Sequence, residues 1–311
     1  MKISVILCIY KEPVSYIKDS IDSILSQSFS DFEFIIVIDN PLNKDAIDLA
    51  LFYENLDKRI KCIFNNENLG LAMSLNKALS IAKGDYIARM DADDISFPNR
   101  LNDSIKFLEE NDLDLIGGVY ENIDCTGKIV GNSLTRGYNS KATNRILKFT
   151  NIVPHPTWFG KKEVFDNLSG YRLVNYAEDY DFLLRAINKK CKIAISNFKV
   201  IQYRVNTNGI SQGNLYKQFL ISQFLSKHRK KIEEFDDTFI NTYSLKKYTL
   251  RKEKKFFTAN SLFLQAKEKS GFKKLLLLIK SFLSSSDYRK KYYNMIRKRM
   301  ICITGGENNV K

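Results

Sequence analysis

The segment "YIARMDADDIS" (86–96) places three aspartates, Asp91, Asp93 and Asp94, within four positions directly after an apolar run. Crowded carboxylates repel one another, so the arrangement is stable only where something positive sits among them. Magnesium and manganese fit, because they prefer a few carboxylates together with water and substrate phosphates. Asp91 and Asp93, two apart at a strand end, are the expected metal pair. An ion there would also stabilise a diphosphate as it leaves. The same string reads equally as a helix start, since "DADDIS" precedes "FPNRL" and acids are favoured at helix N-termini. A second acidic group, Glu178, Asp179 and Asp181 in "YAEDYDFLLR" (176–185), precedes an amphipathic pattern. It too has two readings: a helix cap, or a carboxylate that takes a proton from an attacking hydroxyl.

Strands and helices must position these acids. "ISVILCIY" (3–10), "FEFIIVID" (32–39), "IKCIF" (60–64), "YIARMD" (86–91) and "LDLIGGVY" (113–120) read as strands. Between them, 14–27, 44–56, 70–83 (closed by Gly84) and a stretch from Pro98 to about Glu110 read as helices. Such alternation predicts a mostly parallel sheet with helices on both faces and right-handed crossovers. Ligands of such sheets bind beyond the carboxyl ends of the strands. Tyr10 to Glu12, Asp39 and Asp91 to Asp94 fall there. The middle, about 121–215, is less regular, and from about 216 the pattern is helical, basic and locally amphipathic.

Composition narrows the chemistry. The first glycine of the 311 residues is Gly70, so no glycine-rich phosphate loop follows the first strand. A phosphate bound here therefore calls for a metal. The five cysteines are scattered without a CxxC pair and there are two histidines, which disfavours disulfide frameworks, thiolate zinc and imidazole metal sites. No apolar run reaches the roughly 20 residues that span a bilayer. The opening "MKISVILCIY" mimics a signal peptide but lacks a small-residue cleavage site, and is expected to be a buried strand. From Lys227 onward there are 22 Lys and Arg against 8 Asp and Glu, while the preceding residues balance. The chain is a neutral body with a basic tail.

The strings "ISVILCIYKEP", "IIVIDN" (35–40), "NLGLAMSLNKALSIAKGDYIARMDADDISFPNRL" (68–101), "HPTWFGKKEVF" (155–165) and "YAEDYDFLLR" occur in order. Together they resemble a family-two inverting glycosyltransferase of the bacterial surface-polysaccharide type, serving O-antigen or capsule. The resemblance implies the GT-A fold, an α/β Rossmann-like, mostly parallel sheet flanked by helices. The implied catalytic domain is 1–215, with a nucleotide-sugar half (1–95) and an acceptor half (96–215), followed by a basic helical region (216–311). It implies that Tyr10 and Glu12 lie beside the base and ribose, that Asp39 bonds the uracil, and that Asn68 and Gly70 line the nucleotide pocket. Asp91 and Asp93 correspond to the DxD pair on ribose, diphosphate and Mn²⁺ or Mg²⁺, and Asp94 to a donor-sugar contact. Arg89 is either a phosphate contact or an ion-pair partner of a neighbouring acid. Asp179 corresponds to the catalytic base, with Glu178 supporting it or binding acceptor.

Two departures stand out. Ser74 and Leu75 replace the arginine that many relatives carry in the third helix, and the "QxxRW" signature of processive synthases is absent. Nearby "QYRVNTNGIS" (202–211) offers Arg204 as a phosphate clamp in a closing loop. His155, fixed between two prolines, lines the crevice or touches acceptor, and Trp158 stacks on a sugar ring or joins the core. The implied partners are a UDP-sugar donor and a polyprenyl-diphosphate-linked saccharide acceptor. The basic tail is expected to lie on an anionic membrane surface rather than on nucleic acid. The expected location is cytoplasmic, peripheral on the inner face of the cell membrane. Two rival readings stay open: a non-catalytic basic membrane- or nucleic-acid-binding protein on a degenerate scaffold, and a metal-dependent phosphatase.

Overall fold

The computed structural model describes residues 2–132, 136–205 and 214–302. β1 (Ile3–Ile9), β2 (Phe32–Ile38), β3 (Ile60–Phe64) and β4 (Tyr86–Asp91) form parallel ladders in the order β3-β2-β1-β4. The sheet continues through β8 (Phe159–Lys161), β6 (Leu115–Ile123), β9 (Ile193–Arg204) and β5 (Ile95–Ser96), with β7 (Ile129–Asn132) pairing β6. β6 and β9 run parallel, and short antiparallel pairings join β8 and β5 to this frame. The mostly parallel sheet is thus present. Its strand order reverses at β1, which opens a crevice at the carboxyl ends of β1 and β4.

Helices cover both faces. α1 (Val14–Leu25), α2 (Lys44–Leu56) and α4 (Arg100–Glu110) bury Ile17, Ile21, Ala50 and Leu108 with Val5, Leu7 and Ile9 of β1. On the other face α3 (Leu71–Ile81), α5 (Ser140–Leu147), α6 (Lys162–Asn167) and α7 (Glu178–Asn188) pack against Ile6, Ile35 and Val37. Alternate residues of β1 and β2 therefore enter opposite cores. This is why both strands read as unbroken apolar runs. Burying one such isoleucine contributes about 1.5–3 kcal/mol.

Two boundaries differ from expectation. α3 ends at Ile81, with Ala82 as its cap, so Gly84 does not close it. A Cβ on Gly84 would lie 2.5 Å from the Ser4 backbone nitrogen, so the residue is glycine because β1 passes against it. The fifth predicted strand, expected over 113–120, runs over Leu115–Ile123 because β9 pairs along its whole length.

The C-terminal part comprises α8 (Leu215–His228), α9 (Asp237–Ser244), α10 (Leu250–Lys267), α11 (Gly271–Ser284) and α12 (Ser286–Ile301). Ile221, Phe224, Leu225, Ile232 and Ile240 join the same apolar cluster as α7, so the core crosses position 215. Tyr216, Leu220, Phe256, Ala259 and Tyr288 make a smaller cluster of their own.

Candidate active site

A cleft of about 1090 Å³ opens at the carboxyl ends of β1 and β4. Tyr10, Glu12, Gly70, Arg89, Asp91, Asp93, Glu178 and Asp179 all line it, so the two acidic segments, almost ninety residues apart, share one chamber. Carboxylate oxygens of Asp91, Asp93 and Asp94 lie within 4.8 Å of one another. Burial, then Asp91 and Glu12, pushes the Asp93 carboxyl up to about 7, and burial with Asp91 and Asp93 holds Asp94 well above the usual range. Asp94 is fully buried; its Oδ1 accepts from the Arg204 amide at 2.9 Å, while its Oδ2 has no partner among the described residues. Hard oxygen donors this close, one of them an unpartnered buried oxygen, fit a Mg²⁺ or Mn²⁺ ion.

Two arginines attend the cluster in different ways. The buried Arg89 Nη2 lies 2.5 Å from Asp91 Oδ1, whereas its Nε and Nη1 have no partner among the described residues. Its ion pair is thus present, and the two unpartnered nitrogens belong to a side chain that lines the cleft. Arg204 also borders the cleft. Its guanidinium donates to the backbone oxygens of Asp93 and Asp124, lies 3.3 Å from Asp19 Oδ2 and covers the Tyr16 ring at 4.0 Å. Residue 205 is the last described before 214, so most of the expected closing loop (206–211) lies outside the described residues.

Asp39 serves the neighbouring loop. Its Oδ1 accepts from Asn65 Nδ2 and Leu69 N, and its Oδ2 from Gly70 N, each at 2.8 Å. These bonds hold the 65–70 turn, and Asp39 is buried outside the cleft lining. Asn68 is exposed and also outside the lining, with its Oδ1 accepting from Gly70 N at 3.0 Å. Gly70 itself borders the cleft at φ 82°, a left-handed conformation that favours glycine. Ser74, at the position of the missing arginine, accepts from Asn65 Nδ2 at 2.9 Å and so braces the same turn. Glu12 Oε2 accepts from Tyr10 N at 2.7 Å and Lys11 N at 3.1 Å, fixing the loop after β1.

The second acidic group begins α7. Asp179 Oδ1 accepts from the Tyr180 amide and Oδ2 from Asn151 Nδ2 at 2.7 Å. Burial raises Asp179 to about 6 and, with Asp179 beside it, Glu178 to about 7. Both values suit proton transfer near neutral pH. Asp181, by contrast, is structural. It is fully buried between Arg172 and Arg185 and ion-paired to both.

Of the two alternatives for each residue, His155 takes the crevice-lining one and Trp158 the core one. Trp158 is 0% exposed, packs against His155, Tyr171 and Phe182, and does not border the cleft, so it belongs to the core rather than stacking on a sugar there. His155 borders the cleft, but its Nε2 is bonded to the Tyr171 hydroxyl at 2.9 Å. Burial, with Arg89 nearby, lowers its pKa well below the usual value and keeps the ring neutral.

Sequence reasoning missed Asn151, Tyr176 and Arg100. Asn151 sits in the string "NIVPHP", yet nothing in its spacing points to Asp179. Tyr176 lines the cleft at φ 61°, a strained conformation for a tyrosine, four residues before Tyr180 in the acidic string. The buried Arg100 bonds the Arg89 and Pro156 carbonyls, fastening the acidic strand to the turn that carries His155.

Comparison with known proteins fits this geometry. Residues 4–169 match the model of Glycosyl transferase family 2. An uncharacterized glycosyltransferase of Methanocaldococcus jannaschii, MJ1057, is 37% identical over 235 residues, 75% of this chain and 81% of that protein. The O-antigen biosynthesis glycosyltransferase WbnJ of Escherichia coli is 34% identical over 234 residues, 74% of this chain and 89% of its own. Residues 1–349 of S. aureus TarS, solved with UDP-GlcNAc, superpose with a TM-score of 0.60 at 20% identity, covering 97% of this chain and 90% of that one. The mannosyltransferase PcManGT of Pyrobaculum calidifontis, solved with GDP-Man and Mn²⁺, superposes at 0.58 with 16% identity, covering 97% and 86%. These two likenesses establish a common GT-A-like fold. A family match over more than half of the chain, together with relatives similar over most of their own length, makes this protein a member of glycosyl transferase family 2, and thus a glycosyltransferase.

Proposed function

We propose that the protein moves a hexose from UDP-galactose or UDP-glucose to a hydroxyl of a lipid-diphosphate-linked sugar, forming a β linkage in O-antigen or capsule synthesis. The observation that carries this reading is the meeting of two acidic groups from separate segments in one cleft. A bound divalent ion, Mn²⁺ or Mg²⁺, held by Asp91 and Asp93, would supply charge neutralisation for the diphosphate. Tyr10 and Glu12 would border the base and ribose, and Arg89, with two unpartnered nitrogens, would donate to phosphate oxygens. Asp94, buried and outside the cleft lining, would offer its unpartnered oxygen to the ion rather than to a donor-sugar hydroxyl.

Asp179 would take the proton of the acceptor hydroxyl as its oxygen attacks the anomeric carbon on the face opposite the diphosphate. The bond from that carbon to the diphosphate oxygen breaks in the same displacement, inverting the centre. Asn151 would hold Asp179 in position, and Glu178 would bind acceptor. The UDP-GlcNAc complex of TarS and the Mn²⁺ complex of PcManGT support the donor class and the metal, and the name of WbnJ supports the pathway.

The C-terminal helices support a membrane-bound acceptor. Phe272, Leu275, Leu276, Ile279 and Leu283 are exposed at helical spacing along α11, and Phe272 is 78% exposed. Lys273, Lys274 and Lys280 flank them, a composition that suits an anionic leaflet. Among the described residues no helix is long and apolar enough to cross a membrane. The phosphatase rival needs the Asp-x-Asp near the first strand, whereas here it ends β4. The test is a panel of nucleotide sugars offered with a synthetic GlcNAc-diphosphate-lipid, the product linkage read by NMR. UDP release with a β-linked product is expected; an α-linked product would overturn the single displacement.

A further inference from the structure

A second cavity, of about 530 Å³, lies between the catalytic body and the C-terminal helices. It is open to the surface, and its volume falls within the roughly 300–1,000 Å³ of small-molecule sites. Tyr120, Pro154, Asp179 and Gln218 line both this cavity and the donor cleft, so Asp179 stands in their common wall. The two spaces differ in charge. The donor cleft is bordered by five carboxylates, Glu12, Asp91, Asp93, Glu178 and Asp179, against three cations, Lys11, Arg89 and Arg204. The second cavity carries Asp179 as its one acid and receives Lys291 and Lys298 from α12.

Lys291, Asn294, Met295 and Lys298 follow i, i+3, i+4, i+7 spacing, so a single helical face lines the cavity. Among the described residues neither lysine is in an ion pair. Lys291 Nζ donates to Asn260 Oδ1 at 3.3 Å, and Lys298 Nζ lies over the Tyr138 ring at 5.3 Å. Burial brings Lys291 down to about 8 and also lowers Lys298, which has Arg136 nearby as a further cation. Cations kept half-buried without an acid invite an anion. Thr150, Asn151, Ser222 and Gln223 supply hydroxyl and amide groups suited to sugar hydroxyls.

We propose that this second cavity is the acceptor subsite and that Lys291 and Lys298 select an anionic saccharide, one bearing a phosphate or carboxylate, whose free hydroxyl meets Asp179. The inference rests on Asp179 as the base and on an acceptor whose diphosphate is already anionic, and it adds the cavity and the two lysines that would hold an anionic group of the acceptor. Calorimetric titration of the full chain, with UDP and Mn²⁺ filling the donor cleft, tests it. The probes are N-acetylglucosamine 1-phosphate, methyl glucuronide and neutral methyl N-acetylglucosaminide. At least one anionic probe should bind about tenfold or more tightly than the neutral one. Which of the two does so identifies the group as phosphate or carboxylate. Lys291→Gln with Lys298→Gln should erase the preference, Lys291→Arg with Lys298→Arg should keep it, and UDP affinity should be the same in all three proteins. Equal binding of charged and neutral probes, or a preference that survives the glutamine pair, overturns the acceptor subsite. Failure of the wild-type chain to bind UDP counts instead against the donor assignment, which the UDP titration reads by itself.

Discussion

The two acidic groups of the cleft are built for different work. At the end of β4, three carboxylates crowd within 4.8 Å, with Arg89 in ion-pair contact with Asp91. At the start of α7, Asp179 is held by one amide and one side-chain donor, and Glu178 is its near neighbour. The first arrangement lowers its energy by gathering positive charge, as a metal or an arginine does. Burial raises carboxyls in both groups, and the second differs in that uncharged donors hold Asp179, the arrangement a proton acceptor needs. Residue type is the same at both places; surroundings separate the roles.

This contrast can be broken from either side. The largest effect is expected for Asp91→Asn with Asp93→Asn, which should lower transfer by about 10³-fold or more and abolish Mn²⁺ binding. Transfer at the wild-type rate would remove the metal assignment. Next in size is Asn151→Ala. Its amide donates to Asp179 and favours the charged carboxylate, so its loss should raise the carboxyl pKa. The acidic limb of the rate profile, near 6 in the wild type, should then move up by about one unit. A limb that stays in place would detach Asn151 from the base. The smallest effect concerns stability. Glu178 titrates near 7 in the folded chain against 4.5 as a free group. Its contribution is full below the lower value and is lost as pH rises through the upper one. Glu178→Gln should therefore raise the melting midpoint at about pH 8 by about 2–4 °C, with no change at about pH 4. An equal shift at both pH values would point to packing rather than charge.

The parts of the molecule that read clearly in the sequence are those with a period. β1 and β2 are apolar on both faces because helices cover both, and α1 shows its buried stripe at Ile17, Ile21 and Ile24. The acidic strings were legible because like charges rarely cluster without cause. Contacts between distant segments left no local trace. Gly84 looks like a helix stop, yet the strand passing it requires the glycine. Trp158 has the composition of a sugar platform but is enclosed by Tyr171 and Phe182. Asp39 sits at a strand end as a ligand group would, and the 65–70 turn takes its oxygens. The cavity shared by α8 and α12 was invisible for the same reason: Lys291 and Lys298 read as part of a basic tail for a membrane surface, and only the fold sets them on one cavity with Asp179.

The central claim is that Asp179 removes the acceptor's proton in the chamber where Asp91 and Asp93 hold the donor's metal. The most direct measurement compares Asp179→Asn with wild type for UDP affinity in the presence of Mn²⁺ and for turnover near pH 7. Unchanged affinity with turnover reduced by about 10²–10⁴-fold is the predicted result. Turnover at the wild-type level would contradict it.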